Sequence, residues 1–262
     1  MLFPTDIICD CLLNKSLEKR IALQKDHRPY YLKQLTYKFE KWYADHYLAP
    51  QCEYFGLNMV FMKPWYVEIY GGPVSIGDYT TLIATIDKRV RLTSWMANGK
   101  SGKVEIGKHC LICPGTRIMA ATEITIGDDC MMAQNVCISD ADWHDIYDRT
   151  QQIGNTEAVK IGKNVWIGDS AMICKGVHID DNAIIGAGSI VVKDIPANAI
   201  AAGNPASVIK YLDADKPIKS RSQWMAEPQR VLEYFDAVER IMREGNTLFG
   251  WFRTKLFPHR GD

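Results

Sequence analysis

Aliphatic residues recur at intervals of six along much of this chain. The clearest run starts at Ile161, where five consecutive six-residue segments, here called hexads, each open with isoleucine: IGKNVW, IGDSAM, ICKGVH, IDDNAI and IGAGSI. The fifth position of each hexad is small or β-branched, and glycine or aspartate usually follows the isoleucine. The same pattern occurs between 106 and 137, and a fainter copy begins at Ile76. A six-residue period is typical of a short strand followed by a tight turn, repeated along a solenoid.

The hexads predict that first-position residues stack into a continuous interior column. The small fifth residue would fill a corner, and glycine or asparagine would relieve backbone strain at the turns. We therefore predict a mainly β fold, a parallel β-helix over 54–211. An N-terminal helical segment is expected at 1–53 and a C-terminal helical extension at 212–262.

Outside the hexads the apolar spacing becomes helical. The segment RPYYLKQLTYKFEKWYADHYLAP predicts a helix that ends before Pro50. Pro228 is expected to open another helix, which ends before Gly245. We interpret the apolar stripes of both helices as packing or oligomer surfaces: Leu32, Leu35, Phe39, Trp42 and Tyr43 in the first, and Val231, Phe235, Val238 and Met242 in the second.

Composition and charge narrow the function classes. The chain has 262 residues, of which 47% are hydrophobic, so it can bury a sizeable core. Lys+Arg and Asp+Glu both total 31, so net charge does not indicate a nucleic-acid partner. We expect a cytoplasmic protein, because no long apolar run predicts a transmembrane segment and the first residues lack a signal-peptide pattern. The aromatic, basic stretch at 247–260 could touch a membrane surface, although we favour a cap on the β-helix or contact with a neighbouring subunit.

The eight cysteines are interpreted as reduced packing residues. The CDC motif at 9–11 and the pair Cys110 and Cys113 lack a second pair at the spacing of a zinc site. Cys110, Cys130 and Cys174 fall inside hexads, where a small apolar side chain suits the interior.

One loop interrupts the hexads before Ile161. Its sequence, SDADWHDIYDRTQQIGNTEA, places His144 close to Asp140 and Asp142. Imidazole can accept a proton near neutral pH, and a carboxylate on its far nitrogen would fix the tautomer. His144 is therefore a candidate general base, with Asp140 or Asp142 as the orienting group. Spacing alone does not choose between the two carboxylates.

The hexads and this loop resemble those of the hexapeptide-repeat acyltransferases, especially the galactoside, xenobiotic and polysaccharide acetyltransferases. In that family the coils form a left-handed, three-sided prism, and the catalytic histidine precedes a coil marked VWIG. Here NVWIG occupies 164–168, and His144 is the only histidine in the preceding loop. The resemblance implies a left-handed parallel β-helix with His144 as the catalytic base.

The run IIGAGSIVVKDIPANAIAAGNPASVIK at 184–210 resembles the family's coenzyme A groove, which lies between neighbouring prisms. By this resemblance, Gly186 and Ala187 would let the pantetheine arm lie against the backbone. Lys193 and Lys210 would meet the phosphates of coenzyme A. The family's closed assembly implies a homotrimer.

The resemblance also gives roles to two residues that precede this run. It places Asp169 near the reacting end of the donor and Trp166 in the pocket wall. Paired histidines like those of the related γ-type carbonic anhydrases are absent, and His109 and His178 belong to unrelated coils, so we expect no metal.

Together these features predict an acetyl-CoA-dependent acetyltransferase acting on a hydroxyl of a sugar or sugar-like acceptor by direct transfer. An N-acyltransferase acting on an amino sugar would use the same base and groove. A non-catalytic β-helix scaffold is a third hypothesis. Serine acetyltransferase is disfavoured, because its N-terminal helical domain is larger than the roughly fifty residues that precede the hexads here.

Overall fold

The computed structural model describes residues 26–97 and 99–259. The CDC motif at 9–11 and the first part of the expected N-terminal helical segment lie outside the described residues. The described chain divides into two compact units, one formed by residues 39–227 and the other by 26–38 with 228–259.

The unit at 39–227 contains short strands, of which the first begins at Tyr54 and the last ends at Tyr211. The strands are β1 (Tyr54–Phe55), β2 (Val60–Met62), β3 (Val67–Tyr70), β4 (Val74–Ile76), β5 (Thr81–Ile83), β6 (Val90–Ser94), β7 (Met96–Ala97), β8 (Lys100–Ser101), β9 (Lys103–Ile106), β10 (Leu111–Ile112), β11 (Arg117–Ala120), β12 (Glu123–Ile126), β13 (Met131–Met132), β14 (Cys137–Ser139), β15 (Val159–Ile161), β16 (Trp166–Ile167), β17 (Met172–Ile173), β18 (His178–Ile179), β19 (Ile184–Ile185), β20 (Ile190–Val191), β21 (Ala199–Gly203) and β22 (Ala206–Tyr211).

These strands form three long sheets. The first sheet has the order β1-β4-β9-β12-β15-β18, the second β2-β5-β10-β13-β16-β19-β21-β22, and the third β20-β17-β14-β11-β6-β3. All neighbours within them are parallel except β21 and β22. From β15 to β20 the chain visits the first, second and third sheets in turn. The predicted left-handed parallel β-helix is confirmed.

The interior of the β-helix follows the hexads. The first-position isoleucines are at most 4% exposed: Ile161, Ile167, Ile173, Ile179 and Ile185. The fifth-position residues are at most 2% exposed: Val165, Ala171, Val177, Ala183 and Ser189. At the turns from the first to the second sheet, Asn164 and Asn182 have φ values of 55° and 59°. Asparagine tolerates this left-handed conformation, and the Asn164 side chain donates to Asn182 Oδ1 at 2.9 Å.

Cys110 and Cys130 occupy the interior, as predicted, whereas Cys174 lies in the turn at 174–177 and is only partly buried. Cys110 and Cys130 are fully buried, and their thiols lie 3.3 Å from Gly127 O and 3.0 Å from Gly162 O. The described cysteines are all free.

The predicted N-terminal helix is present, and its apolar stripe packs in part, since the Phe39 and Tyr43 ring centroids lie 5.9 and 6.0 Å from that of Trp65. Helix α1 (Tyr30–Tyr43) continues as a π-helical turn, Ala44–Leu48, and a 3-10 turn, Ala49–Gln51, with Pro50 in its first turn. Leu35, Phe39 and Trp42, in the predicted stripe, are 56%, 50% and 50% exposed. The fully buried residues of this region are Glu40 in the helix and Ala44 and Leu48 in the π-helical turn, and Glu40 Oε1 accepts from the Lys63 N–H at 2.9 Å.

The C-terminal region is helical, as predicted. Helix α2 (Arg221–Trp224) belongs to the β-helical unit, and α3 (Pro228–Met242) and α4 (Leu248–Leu256) belong to the helical unit. Within the helical unit, Asp26 pairs with Arg243 at 2.7 Å, and Asp236 accepts from Gln34 at 2.9 Å. None of the described helices has both the length and the apolar character needed to cross a membrane.

Candidate functional site

The loop that carries His144 leaves the β-helix at one corner. It spans 140–158 and joins β14 in the third sheet to β15 in the first. We call the turns from the third sheet to the first the third corner. The next two coils cross this corner at 174–177 and 192–194, where Ile195 bridges to Ile179 of the first sheet. The loop is therefore displayed above a stack of regular turns.

Asp140 anchors the base of the loop. Its fully buried carboxylate accepts from the backbone N–H groups of Ala121, Thr122 and Glu123 at 2.6, 2.8 and 2.8 Å. Burial raises the pKa of Asp140, and the backbone hydrogen bonds oppose that rise. Because these bonds occupy both carboxylate oxygens, Asp140 holds the turn of the preceding coil. The geometry does not support the expectation that it orients His144.

Asp142 ties the loop to the following coil. Its Oδ2 lies 2.9 Å from Lys175 Nζ in the turn at 174–177. Its backbone N–H donates to Asn155 O at 2.9 Å, and its carbonyl accepts from Gly154 N at 2.7 Å. An antiparallel bridge joins Ala141 to Thr156. The two arms of the loop thus pair like a short hairpin. The Asp142 carboxylate forms an ion pair with Lys175.

The His144 ring is exposed and is oriented by the backbone. Its Nδ1 lies 3.3 Å from the carbonyl oxygen of Gln151. A carbonyl oxygen only accepts, so this contact places the ring proton on Nδ1 and leaves the lone pair on Nε2. The orienting group is therefore a carbonyl instead of the expected carboxylate. Every residue carries a carbonyl, so the sequence held no signal for Gln151.

Trp166 and Lys210 lie on the outer surface of the second sheet. Trp166 is 48% exposed, and the aligned positions continue through Ile184 and Ile200 to Lys210 on β22. Strands are spaced by about 4.8 Å, so three steps separate Trp166 from Lys210 by about 14 Å. The structure thus places one expected pocket wall and one expected phosphate contact on the same face.

Asp169, Gly186 and Ala187 lie at the second corner, where turns pass from the second sheet to the third. The Gly188 N–H donates to Asp169 O at 2.7 Å, which joins the turns of two successive coils. A Cβ atom on Gly186 would lie 2.7 Å from the Cβ of Ala202, so packing of the next strand already requires glycine there. Asp169 and Ala187 are exposed.

Lys193 is exposed at the third corner, two coils beyond the His144 loop. The residues expected to contact the acetyl donor therefore lie in two places. Most of them belong to the second sheet or the second corner, whereas Lys193 belongs to the third corner. Within one chain, the third sheet separates His144 from Asp169. Among residues 26–97 and 99–259, no group of three or more His, Cys, Asp or Glu side chains could hold a metal ion.

Comparison with known proteins agrees with this fold. The family model described as bacterial transferase hexapeptide (six repeats) matches residues 158–193. Galactoside O-acetyltransferase of Escherichia coli (strain K12) is 40% identical over 116 residues, which are 43% of this chain and 57% of the relative. Over these matched regions, the chain is similar to the hexapeptide-repeat acetyltransferases.

A second curated protein and a solved structure are also similar to this chain. Polysialic acid O-acetyltransferase of Escherichia coli O1:K1 / APEC is 37% identical over 128 residues, 48% of this chain and 42% of the relative. A galactoside acetyltransferase in complex with coenzyme A is 25% identical, with a TM-score of 0.43 over 73% of this chain and 90% of that chain. The matched regions span 57% and 42% of the two curated relatives' lengths.

Proposed function

We propose that this protein is an acetyl-CoA-dependent O-acetyltransferase that acts on a hydroxyl of a sugar or sugar-like acceptor. The observation that carries the proposal is the exposed His144 ring, whose Nδ1 contacts the Gln151 carbonyl and whose Nε2 retains the lone pair. Galactoside and polysialic acid O-acetyltransferases are among the relatives, which favours a sugar hydroxyl as the acceptor.

In the proposed reaction, His144 Nε2 takes the proton of the acceptor hydroxyl while its oxygen attacks the thioester carbonyl. A carbon–oxygen bond forms, and a tetrahedral oxyanion results, which backbone N–H groups of a neighbouring coil could stabilise. The oxyanion collapses, the carbon–sulfur bond breaks, and the imidazolium returns the proton to the departing thiolate. No covalent acyl-enzyme is required, and the loop at 140–158 contains no cysteine.

We further propose that the donor site forms between copies of the chain in a homotrimer. His144 and Asp169 lie at the corners beyond opposite ends of the third-sheet strands, so a single β-helix separates the proposed base from the proposed donor contact. A cyclic assembly can place the third corner of one copy beside the second corner of the next. Light scattering at assay concentrations is expected to give the trimer mass. A fully active monomer would contradict this assembly.

Replacement of His144 by alanine tests the reaction. We expect His144→Ala to lower kcat by roughly 10²–10⁴-fold, the range for a positioned proton acceptor, with little change in the Kd of acetyl-CoA. His178→Ala is the matched control, because His178 is exposed but lies on β18, outside the loop. Equal kcat values for wild type and His144→Ala would overturn the role of the base.

The acceptor panel should pair each sugar with its amino-sugar counterpart. Acetylation only of the amines would replace the O-acetyltransferase proposal with the N-acyltransferase alternative. If calorimetry detects no acetyl-CoA binding, the non-catalytic scaffold hypothesis would instead be favoured.

A further inference from the structure

Three aromatic side chains form a continuous row that ends at Trp143, the residue that precedes His144 in the loop. The ring centroids of Tyr70 and Trp95 are 5.7 Å apart, and those of Trp95 and Trp143 are 5.9 Å apart. The interplanar angles are 52° and 69°, so the first pair is tilted and the second meets edge to face. Tyr70 is 63% exposed and Trp95 is 44% exposed, whereas Trp143 is half-buried. We call these three residues the aromatic row.

The third sheet holds the aromatic row in place. The indole N–H of Trp95 donates to Thr93 Oγ1 at 3.2 Å, and that of Trp143 donates to Ser139 Oγ at 3.1 Å. Thr93 and Ser139 both align with Met119 of β11, so both acceptors stand on one line across the sheet. With the polar atoms of both indoles satisfied locally, the parts of the rings that reach solvent are mainly apolar.

A small apolar cluster joins the row to the His144 loop. Ala97, Ala121 and Ala141 are at most 9% exposed, and Trp143 and Ile153 pack against them. Ala97 belongs to the hairpin formed by β7 and β8, which follows Trp95 directly, and Ala141 belongs to the loop itself. Trp95 and the loop that displays His144 are therefore parts of one packed surface.

Exposed aromatic rings on a rigid surface next to a catalytic group indicate a ligand with apolar faces and polar edges. A pyranose ring has this character, because one face presents C–H bonds and the rim presents hydroxyl groups. The electron-rich face of an indole attracts such C–H groups. A row several rings long matches more than one sugar unit.

We propose that the aromatic row binds the sugar units of a glycan that flank the unit acetylated at His144, so that the acceptor is an oligosaccharide or polysaccharide. This inference rests on the proposed O-acetyltransferase function. Trp143 contacts the unit nearest the base, and Trp95 and Tyr70 contact units farther along the chain.

The test measures how binding depends on glycan length. In the His144→Ala background, with acetyl-CoA present, galactose oligomers and sialic acid oligomers of one to six units are titrated by calorimetry. We expect the tighter-binding series to gain about tenfold in affinity between one and three units, equivalent to about 1.4 kcal/mol. Adding Trp95→Ala should abolish this gain and leave binding of the single unit unchanged.

Two further variants keep the result interpretable. Trp95→Phe retains an aromatic face and should preserve part of the gain. Tyr147→Ala is the matched control, because Tyr147 is 91% exposed on the same loop but outside the aromatic row. With active enzyme, Trp95→Ala should raise KM for long acceptors more than KM for the single sugar unit.

Unchanged length dependence in Trp95→Ala would overturn the proposal. Loss of the trimer in Trp95→Ala with unaltered glycan affinity would also overturn it, by assigning the row to contact between copies. If no glycan is acetylated but the length-dependent binding still requires Trp95, the proposed reaction fails while the aromatic row stands.

Discussion

Gly154 lies directly against the backbone of His144. A Cβ atom on Gly154 would stand 2.6 Å from the His144 carbonyl oxygen and 2.9 Å from its carbonyl carbon. These are backbone atoms, so they cannot move aside as the end of a flexible side chain would. The absence of a side chain at Gly154 lets the two arms of the loop approach and sets the position of His144.

We therefore expect Gly154→Ala to displace His144 and to lower kcat by about 10²-fold, the effect of a misplacement of about 1 Å in a catalytic group. Steady-state kinetics against the true acceptor measures this loss, and the Kd of acetyl-CoA should be unaltered. Gln152→Ala, an exposed substitution in the same loop, is the control. Wild-type kcat in Gly154→Ala would show that the loop absorbs the extra methyl group.

Asp140 and Asp142 are expected to differ in their effects on stability. Asp140→Asn places an amide donor against backbone N–H groups that now donate to a carboxylate, so it should lower the free energy of unfolding by about 1.5–3 kcal/mol. Asp142→Asn weakens one part-exposed ion pair with Lys175 and should cost less than about 1 kcal/mol. Urea unfolding of both variants makes the comparison. A lower kcat for Asp140→Asn at unchanged stability would return it to the role of an orienting group.

Lys193 and Lys210 are expected to contribute separately to donor binding. Replacement of either by alanine should weaken acetyl-CoA binding by roughly tenfold or more, as expected for a charged hydrogen bond to phosphate. Calorimetry with coenzyme A and its 3′-dephospho form identifies the phosphate that each lysine contacts, and added salt should reduce both effects. Lys100→Ala, on β8, serves as the exposed control. Wild-type affinity in both variants would remove these residues from the donor site.

We expect ionisation of Asp78 to make the free energy of unfolding depend on pH in the acid range. Its carboxylate accepts from Tyr54 Oη at 2.6 Å and from Leu57 N–H at 2.9 Å, and Lys108 Nζ lies 3.1 Å away. These contacts, the Tyr54 hydrogen bond foremost, lower the pKa of Asp78 to about 2. Because the folded pKa is depressed, the stabilisation is present above the unfolded value of about 3.9 and is lost as pH falls toward 2.

Unfolding free energies measured from pH 5 to pH 2 should therefore fall less steeply for Asp78→Asn than for wild type. Tyr54→Phe removes one of the contacts and should give an intermediate slope. Identical slopes in all three proteins would mean that ionisation of Asp78 does not contribute to the free energy of unfolding between pH 5 and pH 2.

The sequence by itself determined the β-helix and the position of the loop that interrupts it. Hexad stacking is a nearest-neighbour property, so a regular column from Ile161 to Ile185 is sufficient to predict that these side chains face the interior. An interruption of that period is equally local, and it identified the segment around His144.

Tertiary structure decided what the loop's side chains contact. The partners of Asp140 and Asp142 belong to the preceding and following coils, and the His144 ring meets a carbonyl that leaves no mark in the sequence. Trp95 and Trp143 are far apart along the chain and meet only because successive coils return to the same corner. Helix α1 also shows the limit of local patterns, since the charged Glu40 is buried where the Lys63 N–H offers a hydrogen bond, while Phe39 of the apolar stripe stays half-exposed. Such contacts depend on which backbone atoms the fold brings within reach, and residue spacing does not encode them.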